Sequence, residues 1–531
     1  MGADPQQLWY PMEPLVENGL IAPLRCEDND HACVDERLEA CKADTGPANA
    51  RDIRHMQEFI TEFNSATRNG SVTGHDLRPL SAEEVIAGQP TAGKRAKTQA
   101  AADEANITGP DPFREKPRSF QKAEGYGWKN DKASGQDYPP PPRNITPSGG
   151  FLRLAALCFS LAAAKVFKKT TWYAFGRAMS ELGAFTAAKI RGQPYIIQSD
   201  FTRFDGTVSE AIRELELIFL LSQFHPSYHW LVRIIHANLY DTTRTTSKGV
   251  RYQQGFSQGS GDPFTSLLNS LRNAFVAFCT FRRMGVPPAE AFARLGVYGG
   301  DDGLTGNNID PETYRRTAEE FGFIIKIDVA PRGSYVTFLA RVWGPTTWES
   351  GDPAHCGDIR RALCHFPATS QIKTTPPATI MAAKAFALLI TDLDSPILGQ
   401  LAMKVLSATH MSLSKVSLEN IPYHARSLIN GHAGVTEASG AVKLKHLVDA
   451  LDAEHKGNGP RVVGLQKWIQ RLDTIRSGTT NEYRDWMDAY VIDTLPDFNW
   501  GAFQGWLAGP ASQWDRPPIV ATNPRSLGTI G

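Results

Sequence analysis

The sequence has no net charge, with 56 lysine and arginine residues against 56 aspartate and glutamate residues. Overall charge therefore gives no support for a polyanionic ligand, and any such partner must be held by a local surface. Cysteine is scarce: seven in 531 residues, scattered from Cys26 to Cys364. An odd, dispersed set argues against a disulfide framework and for a reducing compartment. There is no Cys-x2-Cys knuckle, although His355-Cys356 with Cys364-His365, and Cys26, His31 and Cys33 with Cys41, are two looser groupings of zinc-ligand type. The Met1 end lacks the basic-then-apolar block of a signal peptide. The longest apolar run, Phe151 to Phe167, carries Arg153 and Lys165 and falls short of the roughly 20 residues that span a bilayer, which predicts a buried helix. No internal repeat is present.

What remains is the composition of a globular protein: 41% hydrophobic, 21% charged and 10% aromatic residues. The length suggests two to four domains or one large multi-lobed enzyme. Charge is unevenly spread. Between Tyr138 and Ser199 eight basic residues, Arg143 among them, face a single acidic one, Glu181, which suits either a polyanion-binding surface or a set of solvated helix faces. The proline run Tyr138-Pro139-Pro140-Pro141-Pro142-Arg143 predicts an extended surface strap, after which Gly149-Gly150 opens a long helix.

The chemistry concentrates in three places. Tyr195 to Asp200 reads as a short strand, followed by a turn at Asp205-Gly206 and an amphipathic helix from about Val208 to Gln223. A glycine loop, Gly255 to Gly261, leads into a helix from about Pro263 to Arg282, with Asp262 as its expected N-cap and Pro263 in its first turn. Thr265 and Asn269 are four apart there and share one face, a pairing suited to reading a sugar hydroxyl. Leu295 to Thr305 then forms a hairpin whose glycine-rich tip carries Asp301 and Asp302. Alone, that tip is also good turn composition. If its first strand neighbours the one ending at Asp200, three carboxylates meet, enough to hold two Mg²⁺ ions with substrate phosphates completing the shells. Further on, the pattern predicts a helix from about Pro311 to Phe321, a strand around Phe323 to Ile327, a hairpin over Tyr335 to Trp343, and mostly helix after Pro345.

In this order, Asp200-x4-Asp205, Ser260-Gly261-x3-Thr265-x3-Asn269 and Gly300-Asp301-Asp302 resemble motifs A, B and C of the RNA-dependent RNA polymerases of positive-strand RNA viruses. The wording around Asp200 to Gly206 and Tyr298 to Gly303 resembles nodavirus-like enzymes most, then tombusvirus-like ones. Phe120 to Glu124 with Pro142 to Pro147 resembles motif F, whose basic residues, Lys122 and Arg143 here, hold the incoming triphosphate. Phe321 to Lys326 resembles motif D, and Phe338 to Arg341 motif E.

The resemblance implies an α+β right-hand fold. Residues 1–195 would form an N-terminal extension, fingertips and fingers, 196–215 and 255–345 the palm, 216–254 a fingers insertion, 346–510 a mostly helical thumb, and 511–531 a tail. It implies RNA-templated RNA synthesis with two Mg²⁺ ions, Mn²⁺ as a substitute, held by Asp200, Asp301 and Asp302. Asp205, Ser260, Gly261, Thr265 and Asn269 would bind the nucleotide and select its ribose. Lys326 would serve as general acid toward pyrophosphate. Expected partners are template and nascent RNA, ribonucleoside triphosphates, other viral replication proteins and host membranes, in the host cytoplasm. A silent RNA-binding or assembly component, or a reverse transcriptase, would be the alternatives; the intact carboxylates oppose the first, and Asp205 with Asn269 the second.

Overall fold

Strand alternation and turn chemistry converge on one antiparallel sheet in the computed structural model. It describes residues 20–405, apart from 69–75, 90–91, 110–117, 131–136, 370–376 and isolated positions, together with 485–495. The expected tail at 511–531 and most of the expected thumb lie outside the described residues. The N-terminal part holds α1 (Glu27–Arg37), α2 (Ala50–Thr67), α3 (Ala82–Ala87) and α4 (Ala92–Thr108), then short strands β1 (Phe120–Gln121), β2 (Lys129–Asn130), β3 (Asp137–Tyr138) and β4 (Asn144–Ile145). Helices α5 (Gly150–Phe167) and α6 (Met179–Ile190) lead into β5 (Tyr195–Phe201), α7 (Glu210–Gln223), α8 (His229–Asn238) and the ribbon β6 (Thr243–Thr245) with β7 (Arg251–Gln253). The central part follows as α9 (Thr265–Arg283), α10 (Pro288–Ala293), β8 (Val297–Gly299), β9 (Asp302–Thr305), α11 (Pro311–Glu320) and β10 (Ile325–Pro331). Strands β11 (Val336–Phe338), β12 (Arg341–Trp343) and β13 (His355–Gly357) form a second sheet, with α12 (Thr346–Ser350) between the last two. Helices α13 (Ile359–His365), α14 (Pro377–Asp392) and α15 (Asp485–Thr494) complete the described elements.

The central sheet runs β10-β5-β9-β8, antiparallel throughout. Its hairpin closes at the pair Gly299↔Asp302, leaving a two-residue loop in which Gly300 has φ 71°. Glycine at the first loop position is what a type II′ turn requires, because its positive φ matches the twist of the flanking strands. Beneath the sheet, α9 buries nearly its whole length, and aromatic side chains from three helices and a loop interlock there: Phe59 and Phe63 of α2, Phe167 of α5, Phe219 of α7, and Trp172 of the loop after α5. The Phe63 and Phe219 rings meet edge-on at 5.1 Å. Each fully buried phenylalanine of this kind stabilises the fold by about 1.5–3 kcal/mol, and together they fix α9 under the strand ends.

Several expectations change. The expected buried helix is α5; it is the one described helix long and apolar enough to cross a membrane, and Leu152, Ala156, Phe159 and Ala163 pack into the core. The proline strap is not on the surface: residues 139–142 are buried, because α1 covers them. There Arg37 Nε donates to the Pro141 carbonyl at 2.8 Å, and Cys33 Sγ to that of Pro142 at 3.2 Å. The helix expected from Pro263 starts at Thr265. Asp262 accepts the amide of Phe264 at 2.8 Å, two residues on, so it makes an Asx turn rather than the N-cap. Strand β10 runs to Pro331, since β5 offers it seven consecutive partners. After Pro345 the chain makes the short helix α12 and then returns to the second sheet as β13 before the longer helices follow.

Candidate active site

Register places the carboxylates. Asp200 stands opposite Asp302 in the β5–β9 pair and opposite Lys326 in the β5–β10 pair. Lys326 Nζ lies 3.6 Å from Asp200 Oδ2, and both side chains are more than half exposed, so the ion pair is worth little by itself. An open cleft of about 360 Å³ is lined by Gln198, Asp200, Asp302, Lys326, Asp328 and Thr337. Asp301 sits at the hairpin tip. Burial raises its carboxyl pKa, a backbone hydrogen bond opposes that, Asp200 and Asp205 raise it further, and Arg143 works against them. Asp302 is pushed up to about 7 by burial, then by Asp301 and Asp200, with Arg361 opposing. Asp301 thus lies in the field of Asp205 and Arg143, and Asp302 in that of Arg361 on α13. Among the described residues no three Cys, His, Asp or Glu side chains converge closely enough to hold one ion.

Asp205 is brought beneath this cluster by a tight turn after β5, with Arg203 at φ 53°. The turn fits only around a glycine, since a Cβ on Gly206 would lie 2.2 Å from the Arg37 carbonyl oxygen. The Asp205 carbonyl accepts the amide of Gln258 at 2.8 Å, which staples the turn to the glycine loop. Its carboxylate accepts from Asn269 Nδ2 at 2.9 Å on one oxygen and from the Ser260 hydroxyl on the other. Thr265 does not join them. Its hydroxyl donates to the Gly259 carbonyl at 3.0 Å and fastens the loop to the start of α9. Gly261, at φ 92°, turns the loop beneath Ile145, and Thr146 donates its amide to the Ser260 carbonyl at 2.9 Å.

Lys122 and Arg143, separated in sequence, are reunited by the β1–β4 pair, in which Gln121 faces Asn144. The Lys122 amide donates to the Arg143 carbonyl at 2.8 Å. Their side chains share Glu124, at 2.8 Å from Lys122 Nζ and 3.4 Å from Arg143 Nε.

Sequence reasoning missed the groups that hold the hairpin tip. Asn273, fully buried on α9, donates its amide nitrogen to the carbonyls of Gly300, Asp301 and Asp302 at 3.1–3.3 Å, and the Ser270 hydroxyl accepts the Gly300 amide at 2.9 Å. The available signal was spacing: Asn273 follows Asn269 by four residues on the face turned to the hairpin. Replacing Asn273 by Ala is expected to cost about 2 kcal/mol, because several buried carbonyls lose their donor; chemical denaturation measures it. A second missed group is a buried cluster, Arg213, Glu216 and Arg272, packed behind Asn269.

Within the Cys and His groupings, Cys33, Cys356 and His355 are engaged in packing. Cys33 Sγ donates to a proline carbonyl, as above. The Cys356 thiol is pushed up to about 12, chiefly by burial, and His355 stacks on Trp343 at 5.1 Å. In the basic stretch, Lys189 is half-buried and donates to the Leu295 carbonyl at 2.7 Å, while Arg177 pairs with Glu181.

The chain is similar to known proteins in sequence and in fold. Residues 148–391 match the family model of viral RNA-dependent RNA polymerases. The chain is 30% identical over 293 residues to the RNA-directed RNA polymerase of greasy grouper nervous necrosis virus, covering 54% of the chain but 28% of that relative. It is 26% identical over 402 residues to that of Pariacoto virus, covering 73% of the chain and 38% of the relative. In structure, the RNA-dependent RNA polymerase of a human picobirnavirus, an insertion-loop deletion mutant, superposes with a TM-score of 0.56 at 14% identity, covering 86% of this chain and 85% of that one; the likeness is one of fold, the right-hand fold of viral polymerases. Residues 148–391 thus match the viral RNA-dependent RNA polymerase model, and the chain is similar to the nodavirus-like polymerases of positive-strand RNA viruses, of which it spans 28% and 38% of the length in the two relatives named.

Proposed function

We propose that this chain synthesises RNA on an RNA template by nucleotidyl transfer, replicating and transcribing a viral genome. One observation carries the reading: Asp200 and Asp302 stand opposite each other on paired strands, with Asp301 at the adjoining tip. The donors fit Mg²⁺, with Mn²⁺ as a substitute. All are hard carboxylate oxygens, and their mutual repulsion calls for a cation. Such an ion takes one or two carboxylates and completes its shell from substrate phosphates and water. Asp200, Asp301 and Asp302 would hold the two ions, and the bound metal would supply charge neutralisation and activation of the primer 3′-hydroxyl.

The chain's own residues do the rest. Arg143 and Lys122 exchange Glu124 for the triphosphate, Arg143 through its planar fork. Asp205, with Ser260 and Asn269, meets the ribose, while Gly261 and Thr265 shape and anchor the loop that carries Ser260. Discrimination follows because these polar groups lose a partner when the 2′-hydroxyl is missing. Lys326, at the cleft edge, donates a proton to the departing pyrophosphate. The partners in this reading are template and nascent RNA and ribonucleoside triphosphates, with other viral replication proteins at host cytoplasmic membranes. The region near the central sheet acts as palm, residues 216–254 as fingers insertion, and the part after 345 as thumb.

The test is template-dependent incorporation of labelled nucleotides with Mg²⁺. Incorporation directed by the template sequence is expected. A pure protein that binds RNA but incorporates nothing would favour the silent assembly component instead.

A further inference from the structure

Behind the ribose-facing residues lies an ionic network with almost no exposed surface. Arg272 spreads its guanidinium over three acceptors: Nε to Glu216, Nη1 to the Asn269 amide oxygen, and Nη2 to Gln258 Oε1 at 2.8 Å. Arg213 closes the other side, reaching Glu216 and Gln258 at 3.1 Å each and the carbonyls of Phe256 and Ser257 at 2.8 and 3.0 Å. His236 Nε2 lies 3.5 Å from Glu216. Arg213, Glu216 and Arg272 are each 2% exposed or less. Burial alone would raise the Glu216 carboxyl pKa; Arg272 and Arg213 outweigh it and hold the group well below the usual carboxylate range. Burying two guanidinium groups for one carboxylate is costly for a fold that needs only packing, since apolar side chains of the same volume serve stability as well or better.

The geometry shows what the cost secures. Asn269 has one amide oxygen and one amide nitrogen to offer. Arg272 takes the oxygen, and the nitrogen is left committed to Asp205. The same guanidinium holds Gln258, whose backbone amide donates to the Asp205 carbonyl. Asp205 is thus gripped from its side chain and from its main chain by two residues that Arg272 holds together.

We propose that Arg272, oriented by Glu216, is a specificity-determining positioning residue that fixes Asn269 and Asp205 for ribose recognition. It acts through these two groups and has no contact with the nucleotide. The inference rests on the assignment of Asp205 to the ribose. Lysine, a single point of charge, cannot hold three acceptors in this fork, so Arg272→Lys keeps the charge and loses the geometry.

The experiment compares kcat/KM for a ribonucleoside triphosphate and its 2′-deoxy counterpart on a primed RNA template, using the full chain and Arg272→Lys, Glu216→Gln and Asp205→Asn. Arg272→Lys is expected to lower the ribo-to-deoxy ratio by roughly tenfold, the equivalent of one buried charged hydrogen bond. The loss should appear in KM for the ribonucleotide more than in kcat. Glu216→Gln, which keeps both arginines and the side-chain shape, should shift the ratio in the same direction and carries the test if Arg272→Lys does not fold. A merely structural role would lower melting temperature and both incorporation rates while leaving the ratio in place. If that is seen for both network variants while Asp205→Asn does lower the ratio, the inference is overturned and the ribose assignment stands. If Asp205→Asn also leaves the ratio unchanged, the assignment itself falls, and the inference with it.

Discussion

Replacing Asp301 by Asn is expected to reduce templated incorporation by about 10³-fold or more while leaving the protein folded and slightly more heat-stable. The loss follows from the proposed role, since a carboxylate that helps hold the ions supports several kcal/mol of transition-state charge stabilisation. The gain in stability follows from the structure. Asp301 lies in the field of Asp200 and Asp205, and Asp302 feels Asp301 in turn. Without bound cations, removing one negative charge relieves repulsion in the fold. The side chain's backbone hydrogen bond can be kept by the Asn amide oxygen, and Asn273 and Ser270 grip the tip through the main chain. Incorporation assays and thermal unfolding on one preparation check both halves. A variant that is inactive because it has lost stability would contradict the account.

The second large effect concerns Asp262 and pH. Its carboxyl is pushed up to about 6 by burial, against the pull of the Phe264 amide, Arg213, the Ser148 hydroxyl and Arg244. In the unfolded chain such a group titrates near its usual value, about 4. Between those two values the folded protein binds more protons than the unfolded one, so this group's contribution to stability falls as pH rises from about 4 to about 6, and stays low above that. The full difference is on the order of 3 kcal/mol. Asp262→Asn can still accept the Phe264 amide. It is therefore expected to be more stable than the parent at pH 7.5 and to match it near pH 4, as chemical denaturation at both pH values would measure. Equal stability at pH 7.5 would show that the buried carboxylate is better compensated than its surroundings indicate.

The carboxylates were legible in the sequence because their chemistry is carried by short spacings within single segments: Asp200 to Asp205, Ser260 to Asn269, and the Asp301-Asp302 tip. Their mutual placement followed only in part: the strand bearing Asp200 pairs with the second strand of the hairpin, β9, and not with the first as expected, so Asp200 faces Asp302 while Asp301 sits at the tip. What escaped depends on residues far apart in the chain. An arginine three positions after Asn269 usually points to solvent; Arg272 is buried only because Glu216 and Arg213 of α7 pack against it. Asn273 is an ordinary helix residue until β8 and β9 lay their turn over it. The proline run read as surface because its own composition says nothing of α1, which covers it. Strand β10 read short since, as an edge, it exposes Lys326, Asp328 and Val329, which breaks the apolar alternation by which a strand is recognised. Thr265 and Asn269 do share a helix face, but Thr265 is close enough to the glycine loop to bond to it first.

In the proposed mechanism, the strand bearing Asp200 and the hairpin at Asp301-Asp302 form two halves of one metal site. Iron-directed cleavage tests it most directly: Fe²⁺ replaces Mg²⁺ on the protein with primed RNA and nucleotide bound, peroxide is added, and the cut positions are mapped along the chain. The account predicts cuts clustered around residues 198–202 and 299–303, suppressed by excess Mg²⁺ and lost in Asp200→Asn. Cuts confined to other segments, such as the Cys26 to Cys41 region, or a pattern that Mg²⁺ leaves unchanged, would contradict it.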